Sequence, residues 1–462
     1  MFTALPFCFA ESEDFAPILI SSFVAMLVGL ICWLFTKRNL QRVIRIKESY
    51  LIVTLGWILM SITGTLPFLI SGAIPSFTDA FFETMSGFTT TGASLLTDIE
   101  SVPKNILFWR SMTHWIGGMG IIVLAIAIMP ILGFGGMQMF SAESSGLTTS
   151  KLHPRITATA KRLWIIYVMF TAVETILLMF GGMNFFDAIN HSMSTVSTGG
   201  FSTKNTSLVE ANPYIQYVVT FFMFIAGINF SLHYVFLKGR FGNVFRNEEL
   251  RFYGSVVIVI SIVVAAALFF KHDLPLEQAT RESLFTIVSM VNGTGFVVTD
   301  YEQWSPFLMY IIFIVSFFGA CAGSTAGGLK MIRVRLLLKN SVLELRRLLH
   351  TRRTLIPVKM NGKTIPNEVM AKVLAFFFFY IIMFVSGSIA LSIVGMDFIS
   401  AMSAVVACLS NVGPGIGSVG ALDNYAHVPA FGKWALSFLM LVGRLEIFTV
   451  LLLLTPAFWR RI

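Results

Sequence analysis

The chain has 462 residues, of which 56% are hydrophobic, 14% aromatic and only 12% charged, with 45 Phe and a formal net charge of +9. Soluble domains carry roughly 25% charged residues, so this chain has too little charge to cover a water-facing surface. A soluble enzyme, a nucleic-acid module and a disordered chain are excluded together, which leaves a polytopic membrane protein.

The first stretch, MFTALPFCFAESED, lacks a basic start and has a short apolar run, so it makes a poor secretory signal. A helix crossing a hydrocarbon core of about 30 Å needs about 20 apolar residues. Stretches of that kind lie at 16–36, 50–71, 105–131, 163–182, 213–237, 253–270, 306–329, 373–395 and 430–457. Between them, apolar stretches near 78–89, 184–196, 280–291 and 398–410 are too short to cross and read as re-entrant segments. Cys8, Cys32, Cys321 and Cys408 have no paired spacing, so neither a disulfide framework nor a zinc site is indicated.

Loops 37–49, 132–162, 238–252 and 330–372, with the C-terminal tail, hold 26 of the 33 Lys and Arg. The positive-inside bias puts these segments in the cytoplasm. The N-terminus and all four short stretches then fall outside, and the C-terminus falls inside.

The short stretches share an ending: FTTTGAS (88–94), VSTGGFS (196–202), VNGTGFV (291–297) and SNVGPGI (410–416). Alignment on the glycine picks out Gly92, Gly200, Gly295 and Gly413, separated by 108, 95 and 118 residues. Around each, the order is long helix, short outer helix, glycine turn, long helix. One such turn alone would read as an ordinary outer loop. Four in matching places predict an all-α membrane protein of four membrane–pore–membrane repeats, with pseudo-fourfold symmetry about an axis along the membrane normal. Non-helical backbone survives in a membrane where it is buried or lines a water-filled path. Four such turns can aim carbonyl oxygens at one axis and replace the hydration shell of a monovalent cation. The C-terminal ends of the short helices, each about −0.5 charge, favour a cation there. No carboxylate sits in the turns, which argues against a divalent-cation ring.

These features resemble the TrkH-type subunits of the Trk/Ktr/HKT superfamily of potassium transporters. WIGGMGIIVLAIAIMP (115–130), GGMQMF (135–140), GACAGSTAGGLKMIRV (319–334) and GRLEIFTVLLLLTPAFW (443–459) extend the similarity over about residues 16–462. The resemblance implies a potassium-selective, ion-conducting subunit in the bacterial cytoplasmic membrane, with no bound cofactor and no enzymatic activity. Its filter would comprise Thr90, Thr91 and Gly92; Thr198, Gly199 and Gly200; Gly293, Thr294 and Gly295; and Asn411, Val412 and Gly413. The expected units are an N-terminal helix region at 1–49 and repeats at 50–162, 163–252, 253–372 and 373–462. Chains of this type carry two helices before the first repeat. Here only 16–36 is complete, and residues 1–10 look like the end of the other.

FFGACAGSTAGGLK (317–330) interrupts the second long helix of repeat 3 with Gly319, Gly323, Ser324, Thr325, Gly327 and Gly328, all poor helix formers. Close packing through small residues is the plain explanation. Below a pore a polar break is a natural gate, and the resemblance favours that reading. Arg444 lies within an apolar run, where a charge is costly and marks a functional site by default. It could pair with Glu446 or a neighbouring helix; the resemblance places it beside the pore as an electrostatic barrier. Glu83, Asp187, His191, Arg281, Glu282 and Asp397 read as packing and capping partners of the short helices, and His114, Glu174 and His233 as helix-to-helix hydrogen bonders. The eleven Lys and Arg of 330–372 suit anionic lipid. By resemblance they also suit a docking face for a cytosolic, nucleotide-binding TrkA-type regulatory subunit, and the assembly would be a homodimer.

Rival functions fit less well. An organic-substrate transporter would show inverted repeats, and a membrane enzyme needs clustered His, Asp or Glu. A sodium-permeable or cation-symporting member of the same superfamily is the nearest alternative. Plant-type sodium transporters often carry Ser at the first filter glycine, where this chain has Gly92.

Overall fold

A computed structural model describes residues 1–7, 13–37, 46–128, 152–349 and 357–460. GGMQMF, Cys8 and parts of the basic segments counted above, among them Lys151, Arg352, Arg353 and Arg461, lie outside the described residues.

The first helices are α1 (Ala16–Thr36) and α2 (Ile46–Gly64), followed by α3 (Phe77–Phe88) and α4 (Lys104–Ile128). Repeat 2 contains α5 (Leu152–Phe180), the short α6 (Phe185–Val196), α7 (Pro213–Ala226) and α8 (Phe230–Leu237). Repeat 3 has α9 (Glu248–Lys271), the short α10 (Leu276–Asn292), α11 (Pro306–Val315), a broken segment, and α12 (Met331–Leu348). Repeat 4 has α13 (Asn367–Ile393), the short α14 (Phe398–Leu409), α15 (Ala430–Arg444) and α16 (Ile447–Leu454). The four short helices match the expected re-entrant stretches to within a few residues.

Side-chain capping fixes where three of the four short helices start. Asn184 accepts from the Asp187 N–H at 2.8 Å, Asp397 from Ser400 at 3.1 Å and Ser76 from Asp79 at 3.5 Å. Each cap satisfies one of the amide donors that a helix start leaves unpaired.

Two of the expected continuous spans are bent. Stretch 213–237 turns by 99° between α7 and α8, and 430–457 turns by 119° between α15 and α16. In the first, Gly227, Ile228 and Asn229 end one helix and cap the next, with the Asn229 side chain accepting from the Ser231 N–H at 2.8 Å. In the second, Glu446 at φ +63° reverses the chain. Stretch 306–329 is helical only to Val315. Five helices among the described residues are long and apolar enough to cross a membrane singly.

Outward faces are apolar, as lipid permits: Phe180, Phe270 and Ile393 are each nearly four-fifths exposed. Inside, the packing divides into two large apolar cores. One is built mainly from repeats 1 and 4, around Phe82, Met85, Trp109, Leu409 and Leu436. The other is built mainly from repeats 2 and 3, around Met223, Tyr253, Phe285, Met290 and Leu308.

Candidate functional site: a ring of four glycine turns

All four short helices end in the same backbone motif. The amide of Thr91 bonds the Ser86 carbonyl at 2.9 Å, Gly199 that of Ser194 at 2.8 Å, Thr294 that of Ser289 at 2.9 Å and Val412 that of Ala407 at 2.8 Å. One residue earlier, Thr90, Thr198, Gly293 and Asn411 donate to the carbonyl three residues back. This bond pair is a Schellman ending, which requires a left-handed residue at its centre. Those residues have φ of +50°, +57°, +71° and +56°. A β-branched residue there is a genuine outlier, and repeats 1 and 2 both place Thr in it.

Two residues on, Gly92, Gly200, Gly295 and Gly413 again have positive φ, at +84°, +81°, +76° and +94°. The residue between is outside that region. Alternation of the sign of φ turns successive carbonyls to one side, where a regular strand would alternate them across both faces.

The turns close into a ring. A Cβ added at Gly92 would overlap the Gly199 carbonyl oxygen, and one at Gly200 that of Thr294. One at Gly295 would overlap that of Val412, and one at Gly413 would press on that of Thr91. Each glycine thus faces the carbonyl of the residue preceding the next glycine, in the order 1, 2, 3, 4 and back to 1. Thr91, Gly199, Thr294 and Val412 are buried, and no protein donor among the described residues pairs with their carbonyls. Buried carbonyls are normally paired; four in a closed ring suit a cation.

A polar scaffold stands around the ring. The Asn411 amide donates to Thr91 Oγ1 at 2.9 Å and to the Met440 carbonyl at 3.0 Å. Tyr425 donates to the Gly413 carbonyl and Tyr301 to the Gly415 carbonyl, each at 2.7 Å. His191 meets Ser202 Oγ at 3.1 Å, Asp187 accepts from Thr203 at 2.6 Å and Glu282 accepts from Gln278 at 2.7 Å. Arg281 bonds Glu277 at 2.8 Å. These are the packing and capping roles expected of them. His233 bonds the Ile225 carbonyl at 3.0 Å. His114 bonds the second turn rather than another helix: it accepts from the Phe201 N–H at 3.5 Å and stacks on that ring, with centroids 3.8 Å apart. Just past the fourth turn, Glu302 accepts from the Gly417 N–H. Burial raises its carboxyl above the ordinary range, opposed by that hydrogen bond and aided by Asp423 and Asp300.

The broken segment of repeat 3 lies at the C-terminal ends of the short helices. Strands β1 (Phe318–Gly319) and β2 (Leu329–Lys330) pair in parallel and close a loop over 320–328. Thr325 Oγ1 donates to the carbonyl of Val196, the last residue of α6, at 3.1 Å. Gly327 abuts the Ser410 carbonyl and the Asn411 side chain just past α14. Turns 2 and 4 are opposite in the ring, so the loop passes across it. The break in repeat 2 receives the loop: Cys321 N–H donates to Gly227 O, and Phe230 N–H to Gly323 O, both at 3.0 Å. Gly323, Ser324, Thr325, Gly327 and Gly328 therefore all belong to one loop, and Gly319 ends the strand that closes it. Arg444, 2% exposed, joins it by donating to the Thr325 carbonyl and, at 3.2 Å, to that of Gly117. The pairing with Glu446 considered above does not form. Glu446 pairs with Arg333, whose guanidinium also lies 4.0 Å from the centre of the Phe376 ring.

The sequence reading missed Arg110, Tyr301, Tyr425 and the break at Gly227–Asn229. Asn229 among apolar residues was the only local signal for that break.

A family model described as TrkH, cation transport protein, matches residues 17–461. The chain is 42% identical to the Trk system potassium uptake protein TrkH of Salmonella typhimurium over 443 residues, which are 95% of this chain and 91% of that one. It is 34% identical to the Trk system potassium uptake protein TrkG of Escherichia coli, over 94% of this chain and 89% of that one. The crystal structure of the potassium transporter TrkH from Vibrio parahaemolyticus superposes with a TM-score of 0.90 at 38% identity, covering 99% and 96% of the two chains.

Proposed function

Since the chain belongs to the TrkH family of cation transport proteins, we propose that it is the potassium-selective, ion-conducting subunit of a Trk-type uptake system in the bacterial cytoplasmic membrane. The observation that carries this reading is the closed ring of four glycine turns with buried, unpaired carbonyls. In it, Thr90 to Gly92, Thr198 to Gly200, Gly293 to Gly295 and Asn411 to Gly413 form the selectivity filter. The loop over 320–328 is the gate, and Arg444 holds it while repelling cations. The repeats run 50–162, 163–252, 253–372 and 373–462, with the N-terminus outside and the C-terminus in the cytoplasm.

Complementation tests the reading. Expressed together with a TrkA-type regulatory subunit in a bacterium without potassium uptake, the chain should restore growth at low potassium, and excess sodium should leave that growth intact. Failure to rescue a correctly inserted chain would reject potassium uptake. Rescue abolished by sodium would favour the sodium-permeable alternative.

The basic segment after the gate loop is the docking face for a cytosolic TrkA-type regulatory subunit, and the assembly is a homodimer. Arg346 is exposed near the end of α12 and Arg347 half-buried beside it, paired with Glu344. Neutralising Arg346, Arg347, Arg352 and Arg353 together should weaken co-purification of that subunit. Four ion pairs to the partner at about 0.5 kcal/mol each amount to roughly 30-fold in affinity. Binding should also weaken with salt, because exposed charges are screened beyond about 8 Å at physiological ionic strength. Unchanged pull-down at low salt would leave these arginines a topology role alone.

A further inference from the structure

The two apolar cores divide the ring's four seams into two kinds. Repeats 4 and 1 share one core and repeats 2 and 3 the other, so the seams 4–1 and 2–3 lie largely within continuous apolar packing. Seams 1–2 and 3–4 fall mostly between these two cores; at seam 1–2 a smaller cluster packs Trp115 and Met119 against Tyr167 and Phe230, and directional polar bonds add to the spacing there. At seam 3–4 the bonds are those of Tyr301 and Glu302 described above.

At seam 1–2 the joint is a buried ion pair. Glu83 on α3 is 1% exposed and Arg110 on α4 is 2% exposed. Glu83 accepts from Ser94 Oγ at 3.0 Å and from the Leu95 N–H at 2.8 Å, gripping the chain just past Gly92. It also accepts from Arg110 Nε at 2.7 Å. Arg110 reaches over the seam: Nη1 donates to the Ser202 carbonyl at 2.9 Å, and the guanidinium lies 3.5 Å from the centre of the Phe201 ring. Phe201 directly follows Gly200 and is held on its other side by His114. One guanidinium therefore fixes the exit of turn 1 against the exit of turn 2.

The repeats differ at this place. Nine residues before each ring glycine stand Glu83, His191, Thr286 and Ala404. His191 meets Ser202 as Glu83 meets Ser94, but Thr286 and Ala404 can hold no arginine. A buried ion pair is weak support for stability on its own, since desolvation offsets its attraction; its best-attested use is to fix one geometry.

We propose that Glu83 and Arg110 are positioning residues that set the distance between the first and second turns, and through it the discrimination of potassium from sodium. The proposal rests on the reading of the ring as a potassium filter. The pair carries no net charge, so its removal leaves the local field nearly unchanged and alters geometry.

The test is competitive potassium and sodium flux through the full-length chain in liposomes. Removing either partner alone strands a buried charge, so the decisive variant is Glu83→Gln with Arg110→Met. Flux should persist while the potassium-to-sodium ratio falls about tenfold. Arg110→Lys keeps the charge and loses the fork; it should lower the ratio severalfold, and it carries the test if the double variant fails to reach the membrane. A ratio within twofold of wild type in whichever of these variants inserts, beside a clear loss in a Gly200→Ser control, overturns the proposal and leaves the filter reading intact. If Gly200→Ser also keeps the wild-type ratio, the filter reading fails and the proposal with it.

Discussion

Gly92→Ser should lower the discrimination of potassium over sodium by about tenfold or more, a change equivalent to about 1.4 kcal/mol. Two costs meet at this residue. Its φ of +84° belongs to a region that L side chains rarely adopt, and its new Cβ would overlap the Gly199 carbonyl oxygen. Neither is relieved by a rotamer change, because backbone stands on both sides of the contact. The strain must move the carbonyl, which is the atom proposed to replace a water on the ion. The inserted protein should still conduct, since Ser adds little volume. Competitive flux in liposomes or competitive ion binding measures the effect, and equal selectivity in wild type and variant would sink the filter assignment.

Arg444→Ala should raise basal potassium flux and loosen its dependence on the regulatory subunit. The arginine acts twice in the proposed closed state. Its guanidinium ties the Thr325 carbonyl of the loop to the Gly117 carbonyl of α4, and the loop in turn lies against the ends of α6 and α14. No carboxylate among the described residues pairs with it, so its charge is not cancelled locally. Two like unit charges 8 Å apart at an effective dielectric of about 20 repel by roughly 2 kcal/mol, or roughly 30-fold in rate. Deleting the loop core at 322–327 should raise basal flux too, with little change in selectivity because the loop makes no hydrogen bond to the four ring carbonyls. Basal flux no higher than wild type in correctly inserted variants would reduce the loop glycines to packing residues.

Much of this arrangement was legible in the sequence because membranes make irregular backbone conspicuous. The short helices announced themselves by length, the ring glycines by their fourfold recurrence, and the segment at 317–330 by six Gly, Ser and Thr residues between apolar runs. The breaks after Ala226 and Arg444 were hidden for the opposite reason. Apolar residues dominate on either side of both, and helix ends paired by a distant loop leave little local mark: Gly227 O and Phe230 N find their partners almost a hundred residues away. Arg110 looked like an ordinary polar residue near a helix start, and only the fold reveals that it is buried beside Glu83. Arg333 and Glu446, 113 residues apart, were likewise invisible to any reading by spacing.

That one polypeptide closes the ring has a consequence for stoichiometry. In a pore assembled from four identical chains, a codon change is delivered in fourfold dose, and its effect cannot be separated by position. Here the ring is heterogeneous by construction, and one substitution alters one quadrant. Serine placed in turn at positions 92, 200, 295 and 413 is therefore four distinct perturbations of a single circle. Their unequal effects would chart, quadrant by quadrant, how stiffly each side of the circle is held.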